Sequence, residues 1–79
     1  SEVTPMPFSE VQEVIEHAYG TALNEVFADF EETPIGSASI AQVHKAKLKT
    51  GETVVVKVQR QGIYETMSRD IAFLHRAVN

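Results

Sequence analysis

One lysine at the end of a valine run, Lys57, is well placed in this sequence to bind an anion. It follows Val54, Val55 and Val56, and a run of mainly small residues, 36–41, lies upstream of it. Small side chains let backbone N–H groups approach phosphate oxygens closely, and an ammonium group offsets the phosphate charge. This combination predicts a nucleotide triphosphate site in which Lys57 contacts the phosphates.

The order of the small residues follows a known nucleotide-loop pattern. Against the kinase pattern G-x-G-x-x-G-x-V, Gly36 takes the first glycine position and Val43 the valine position, with Ala38 and Ala41 in place of the second and third glycines. Lys57 comes fourteen residues after Val43, in Val-Val-Val-Lys, which is similar to the V-A-I-K of a kinase strand. A Walker loop is excluded because the sequence contains no G-x-x-x-x-G-K-[ST].

The elements that position these residues are predicted to be strands. Residues 39–48 alternate between two faces, Thr50-Gly51 marks a hairpin turn, and residues 53–60 are rich in β-branched side chains. Alternation places Lys57 on the same face as Val55. With a further strand over 27–35, the sequence predicts a three-stranded antiparallel sheet spanning residues 27–60.

Helices are predicted on either side of this sheet. Residues 9–19 repeat apolar side chains at three- and four-residue steps and end before Gly20, and residues 63–78 show a similar repeat. Residues 1–8, with two prolines, are predicted to be a flexible, extended lead-in. The predicted fold class is therefore α+β, a single domain with a three-stranded antiparallel sheet, an N-terminal helix and a C-terminal helix.

Composition limits the function classes. The chain has 79 residues, a formal net charge of −4 and no cysteine, which argues against a nucleic-acid surface, disulfides and thiolate metal sites. No apolar run approaches the roughly 20 residues that span a bilayer, and no signal sequence is recognisable at the N-terminus. We expect a cytoplasmic or membrane-associated bacterial location or an organellar matrix, and not secretion.

Other polar residues carry weaker signals. His17, His44 and His75 lack metal-ligand spacing, so no metal site is predicted. Gln42 and His44 share the predicted face of Ile40, and the sequence does not decide whether this face contacts a neighbouring lobe of a longer protein. Ser37 and Ser39 have no evident histidine and carboxylate partners, which favours loop hydrogen bonding over a nucleophilic role.

Two segments, Pro34-Ile-Gly-Ser-Ala-Ser-Ile-Ala-Gln-Val-His-Lys-Ala and Gly51-Glu-Thr-Val-Val-Val-Lys-Val-Gln-Arg, resemble the UbiB family of atypical protein-kinase-like proteins, also called aarF-domain kinases. The resemblance runs from about Phe27 to Asp70 and implies a kinase-like N-lobe with an alanine-rich nucleotide loop. It implies that the catalytic lysine is Lys57 and that adenine lies between Val43 and Val55. The implied nucleotide-binding residues are Gly36, Ser37, Ala38, Ser39, Ala41, Val43, Val55 and Lys57.

The resemblance also implies ATP and Mg²⁺ as cofactors of a full-length kinase or ATPase linked to the biosynthesis of ubiquinone, an isoprenoid quinone. The family's catalytic loop and metal-binding Asp-Phe-Gly are expected beyond Asn79, so the chain alone is expected not to be catalytically competent. The carboxylate partner of Lys57 is also expected there, because Glu65 lies too near the lysine strand and Asp70 could approach only if its predicted helix lay over the hairpin. Gly36-Ser37 stands where the family often has two alanines.

Two alternatives remain open at this point. The same lobe can serve a non-catalytic pseudokinase or lipid-binding regulatory module, or the chain can be a small α+β interaction domain without a nucleotide site. The expected partners are a nucleotide, the rest of the kinase lobe and, for the full-length protein, a membrane or lipid. Because the valine-rich edge at 53–60 is predicted to be exposed, we also expect self-association through it.

Overall fold

A computed structural model describes residues 4–38, 40–59, 63–67 and 72–76 of the chain. In chain order, the elements are α1 Phe8–Tyr19, α2 Leu23–Val26, β1 Phe27–Phe30, β2 Gly36–Ser37, β3 Ala41–Leu48, β4 Thr53–Gln59, β5 Ile63–Met67 and β6 Ala72–Arg76. The described residues therefore confirm the α+β class. They contain more strands than the three predicted.

Helix α1 begins one residue before the predicted start and ends at the predicted residue. Pro7 occupies the N-cap position without a side-chain hydrogen bond, which suits proline because it has no N–H group to satisfy. At the other end Gly20 adopts φ 73° and donates its N–H to the Glu16 carbonyl. A left-handed residue at this position ends a helix and favours glycine.

The strands form one antiparallel sheet in the order β1-β3-β4-β5-β6, and β2 pairs with β3. Strands β1 and β2 both lie along β3, since Phe30 is the partner of Ala46 and Gly36 the partner of Val43. The first predicted strand, 27–35, is thus wrong in its second half. The chain leaves the sheet after Phe30 and returns at Gly36.

Alternation along β4 separates two faces, as predicted. Val54, Val56 and Val58 are buried, whereas Val55 and Lys57 between them are half-buried. The buried face packs beneath α1 in a core formed by Met6, Val11, Ile15, Leu23, Phe27, Ala46, Val54, Val56 and Val58. Lys57 consequently lies on the face of the sheet opposite the helix.

The predicted helix over 63–78 is wrong, because strands β5 and β6 fall within that range. Ile63, Tyr64 and Thr66 are residue types that favour strands, whereas Ile63 and Met67 also fit a helical repeat, so periodicity alone did not decide between the two. Pairing with β5 satisfies the backbone groups along the outer edge of β4. The predicted exposure of the edge at 53–60, on which self-association was to depend, is therefore wrong for Val55 to Val58, which pair with β5.

The predicted flexible lead-in, 1–8, contains one core residue within its described part. Pro7 has an extended backbone, and Met6 is only 3% exposed and belongs to the core. Its backbone N–H and carbonyl are both hydrogen-bonded to the side chain of Gln42, at 2.7 and 3.1 Å. The segment before α1 is thus fixed to the sheet at Met6.

Candidate nucleotide site

The small-residue loop is the turn between β2 and β3. Ser37 is the cross-strand partner of Gln42, and the Ala38 N–H donates to the Ala41 carbonyl at 2.7 Å. Just before the loop, the Ile35 N–H donates to the Val43 carbonyl at 2.8 Å. These bonds hold both ends of the loop against β3. Ser39, a predicted loop residue, lies outside the described residues.

Lys57 lies across β3 from the loop. It is the direct cross-strand partner of Val43, and Val43 is in turn the partner of Gly36 on its other side. The three residues therefore form one row across β2, β3 and β4. Neighbouring strands lie about 4.8 Å apart, so the backbone of Lys57 is two strand spacings from the backbone of Gly36. A ligand bound over β3, between Gly36 and Lys57, would be within reach of the lysine side chain.

A cavity of about 270 Å³ occupies this position. Its walls are formed by Gly36, Ser37, Ala38, Ala41, Gln42, Val43 and Lys57. Six of the eight predicted nucleotide-binding residues therefore line one space. Val55 does not line it, although it lies on the same strand face two residues from Lys57.

The lining of this cavity combines one cation with small residues. Lys57 is its one charged residue and Ser37 its one hydroxyl residue among the described lining, while the lining surface itself is mostly apolar. A β-carbon added to Gly36 would meet no atom within 4 Å. The loop therefore leaves open space for a ligand at this residue.

The register also bears on the partner of Lys57. Glu65 is its cross-strand partner in β5, whereas the sequence placed that glutamate on a helix, too near to pair. This assignment of Glu65 to a helix is wrong. The prediction that the partner carboxylate lies past Asn79 stays a prediction.

A second cavity, of about 320 Å³, lies between the two helices and β1, and its chemistry is different. Its described lining contains the carboxylates of Glu16, Asp29 and Glu32 but no lysine or arginine. Hydrogen bonds from the Leu23 backbone and then from Gln12 hold the pKa of Glu16 below its ordinary value. Negative charge disfavours phosphate there, so the cavity beside Lys57 is the better candidate.

Sequence reasoning missed the environment of Gln42 and His44. The sequence left open what these two residues contact, and the structure shows them 2% and 0% exposed, facing the core. Ile40, expected on the same face, is 57% exposed because β3 begins only at Ala41. The signal available in the sequence was their alternation with Ala46, which is buried on the same face.

Comparison with known proteins identifies the family of the chain. The model of the ABC1 atypical kinase-like domain matches residues 1–79. The chain belongs to the ABC1 atypical kinase-like family. No solved structure matches the chain.

Named relatives of this ABC1 domain come from bacteria and from a vertebrate. The chain is 49% identical over 94% of its length to "Probable protein kinase UbiB" of Cellvibrio japonicus and 49% identical over 87% to the protein of that name in Azotobacter vinelandii. It is 47% identical over 86% of its length to "AarF domain-containing protein kinase 1" of Xenopus laevis. The chain spans 13% of the length of each of these relatives.

Two further observations concern metals and membranes. Within the described residues, no three histidine, cysteine, aspartate or glutamate side chains are grouped so that they could hold a metal ion. No helix in the described part of the chain is long and apolar enough to cross a membrane.

Proposed function

We propose that this chain is the ATP-binding, N-terminal portion of a UbiB-like atypical kinase or ATPase, with Lys57 contacting the nucleotide phosphates. The observation that carries the proposal is the shared cavity. Lys57 and the loop residues Gly36 to Ala38 line one space on the sheet face opposite α1. Family membership and the relatives named as kinases support the same assignment.

The cavity fits the phosphate end of the nucleotide. Ligand pockets are typically about 300–1,000 Å³, and this cavity of about 270 Å³ lies just below that range. The rest of the nucleotide would extend along the same face, where Val43 and Val55 provide apolar contacts for adenine. Mg²⁺ bound with ATP would neutralise part of the phosphate charge.

Residues outside this chain complete the proposed activity. The chain covers 13% of its UbiB relative, and we assign the catalytic loop and the metal-binding Asp-Phe-Gly to the remainder of the full-length protein. Transfer or hydrolysis of the γ-phosphoryl group would occur there. A full-length protein that binds ATP but does not turn it over would instead be the pseudokinase alternative.

Replacing Lys57 in the full-length protein tests the nucleotide site. Lys57→Met removes the charge and keeps an unbranched apolar stem. A hydrogen bond to a charged group contributes about 1.5–3 kcal/mol, so we expect ATP affinity to fall roughly 10- to 150-fold. Isothermal titration with MgATP measures the change directly.

Lys49→Met is the matched control. Lys49 is exposed in the turn between β3 and β4, so this variant makes the same change of charge away from the cavity. We expect its ATP affinity to equal that of the wild type. Equal affinities for Lys57→Met and Lys49→Met would refute the phosphate role of Lys57.

The same pair of variants tests the proposed link to isoprenoid quinone synthesis. In cells that lack the full-length gene, we expect the wild-type and Lys49→Met genes to restore quinone content and the Lys57→Met gene to fail. Extracted quinone is the measurement, with immunoblotting to show equal protein levels. Full restoration by Lys57→Met at equal levels would separate the quinone role from ATP binding.

A further inference from the structure

Gln42 and His44 are the two buried polar side chains within the described residues. Gln42 Oε1 accepts the Met6 N–H at 2.7 Å, and Gln42 Nε2 donates to the Met6 carbonyl at 3.1 Å. The side-chain amide thus pairs with Met6 on both sides, as a neighbouring strand residue would. If the oxygen and nitrogen of the Gln42 amide were exchanged, the amide nitrogen would face the Met6 N–H and the oxygen would face the Met6 carbonyl. The two hydrogen bonds to Met6 therefore define the orientation of the amide.

The pattern continues through His44. Gln42 Nε2 lies 3.0 Å from His44 Nε2, and His44 Nδ1 lies 2.7 Å from the Glu31 carbonyl. An amide nitrogen is a donor and a carbonyl is an acceptor, so Nε2 accepts while Nδ1 carries the proton. The resulting chain of bonds, which we call the relay, runs from Met6 through Gln42 and His44 to Glu31.

The relay reaches the loop by two routes. Gln42 lines the cavity, and its backbone is the cross-strand partner of Ser37 in β2. Glu31 begins the connection that leads to the loop, and its N–H donates to the Lys45 carbonyl at 2.9 Å. The relay therefore connects the segment before α1 to the residues that lead into the loop, which begin at Glu31, and to strand β3, which follows the loop.

We propose that Gln42 and His44 are positioning residues, which couple the segment around Met6 to nucleotide binding in the loop. This inference rests on the proposed ATP site. Holding the loop in one shape lowers the ordering cost of binding phosphate. Coupling is reciprocal, so a bound nucleotide also strengthens the hold on Met6.

His44 allows a test that changes neither net charge nor the cavity wall, since it does not line that space. In the full-length protein, His44→Phe keeps a ring of similar size but removes both hydrogen bonds, whereas His44→Gln retains an acceptor and a donor. Coupling between sites is typically worth a factor of five or more. We expect His44→Phe to weaken MgATP binding about fivefold or more and His44→Gln to restore much of that loss.

Hydrogen exchange at the Met6 amide gives a second readout, because that N–H donates directly to Gln42. In the wild type, we expect saturating MgATP to slow this exchange about fivefold or more. His44→Phe should lose this response, and His44→Gln should keep it. Ligand binding stabilises the whole fold and so slows exchange generally, and the coupling is therefore measured as the slowing at Met6 in excess of that at the buried Val54 amide.

The possible outcomes separate this inference from the proposed function. Absence of MgATP binding by the wild type refutes the ATP site and the coupling with it. ATP binding that depends on Lys57, combined with Met6 exchange that does not respond to nucleotide, overturns only the coupling. The wild-type exchange measurement decides this even if His44→Phe does not fold.

Discussion

Glu16 links the two helices through one carboxylate oxygen. Its Oε2 accepts the Leu23 backbone N–H at 2.7 Å and the Gln12 side-chain N–H at 3.1 Å. Leu23 is the first residue of α2, whose N-cap, Ala22, makes no side-chain capping bond. Glu16, seven residues before Leu23, therefore accepts the first N–H of α2 in place of a side chain at the N-cap.

This arrangement predicts an acid-dependent loss of stability. The two hydrogen bonds lower the pKa of Glu16 from its ordinary value of 4.5. A carboxyl with a lower pKa in the folded state binds fewer protons there than in the unfolded state. Its stabilising effect is thus fully present above pH 4.5 and is lost as the pH falls through the lower, folded value.

Glu16→Gln isolates this effect, because a glutamine oxygen can still accept from Leu23 but does not titrate. We expect the free energy of unfolding to fall less steeply for Glu16→Gln than for the wild type as the pH drops below 4.5. Denaturant titrations at a series of pH values provide the comparison. Parallel pH profiles for the two proteins would show that Glu16 contributes nothing to acid sensitivity.

Gly51 decides the geometry of the hairpin between β3 and β4. Its φ is 96°, a value that side-chain-bearing residues rarely adopt, and its N–H donates to the Leu48 carbonyl at 2.9 Å. The turn sets the register that places Lys57 opposite Val43. Backbone conformation at one glycine thereby contributes to the site on the neighbouring strand.

Two alanine substitutions separate the effect of backbone conformation from the effect of space for a β-carbon. A β-carbon would meet no atom within 4 Å at either Gly51 or Gly36, but only Gly51 has a positive φ. Left-handed backbone costs a non-glycine residue roughly 1–2 kcal/mol, so we expect Gly51→Ala to destabilise the fold by about that amount. Gly36→Ala should be neutral or slightly stabilising, since alanine restricts the unfolded chain.

Thermal and denaturant unfolding of both variants measure these changes. Equal stability of Gly51→Ala and Gly36→Ala would show that the positive φ is not required. Nucleotide affinity is a separate question for Gly36, because its open space belongs to the candidate site.

The accuracy of the sequence predictions depended on whether an element was determined locally. Alternation in β3 and β4, and the left-handed glycine after α1, follow from neighbouring residues and were predicted. The C-terminal segment was not, because its apolar spacing fits a helix while pairing with β4 depends on the rest of the sheet. Periodicity also could not reveal that Gln42 binds Met6, 36 residues away.

On the scale of the whole molecule, the two faces of the sheet differ in role: one packs in the core and the other carries the candidate site. The face beneath α1 carries the apolar core and the relay, whereas the opposite face carries Lys57 and the cavity. Gln42 takes part in both, since its side chain is bonded in the core while the residue is also among those that line the cavity. Stability and ligand binding are therefore expected to be linked through β3.

That linkage predicts how much MgATP stabilises the full-length protein. A ligand present at 100 times its dissociation constant adds about 2.7 kcal/mol to the stability of the state that binds it. If Lys57→Met weakens binding tenfold, the same ATP concentration adds only about 1.4 kcal/mol to that variant. Thermal melting of the wild type, Lys57→Met and Lys49→Met with and without MgATP gives the three increments. Because Lys49 is exposed in a turn remote from the cavity, an equal increment in all three proteins would place nucleotide binding somewhere other than the Lys57 face.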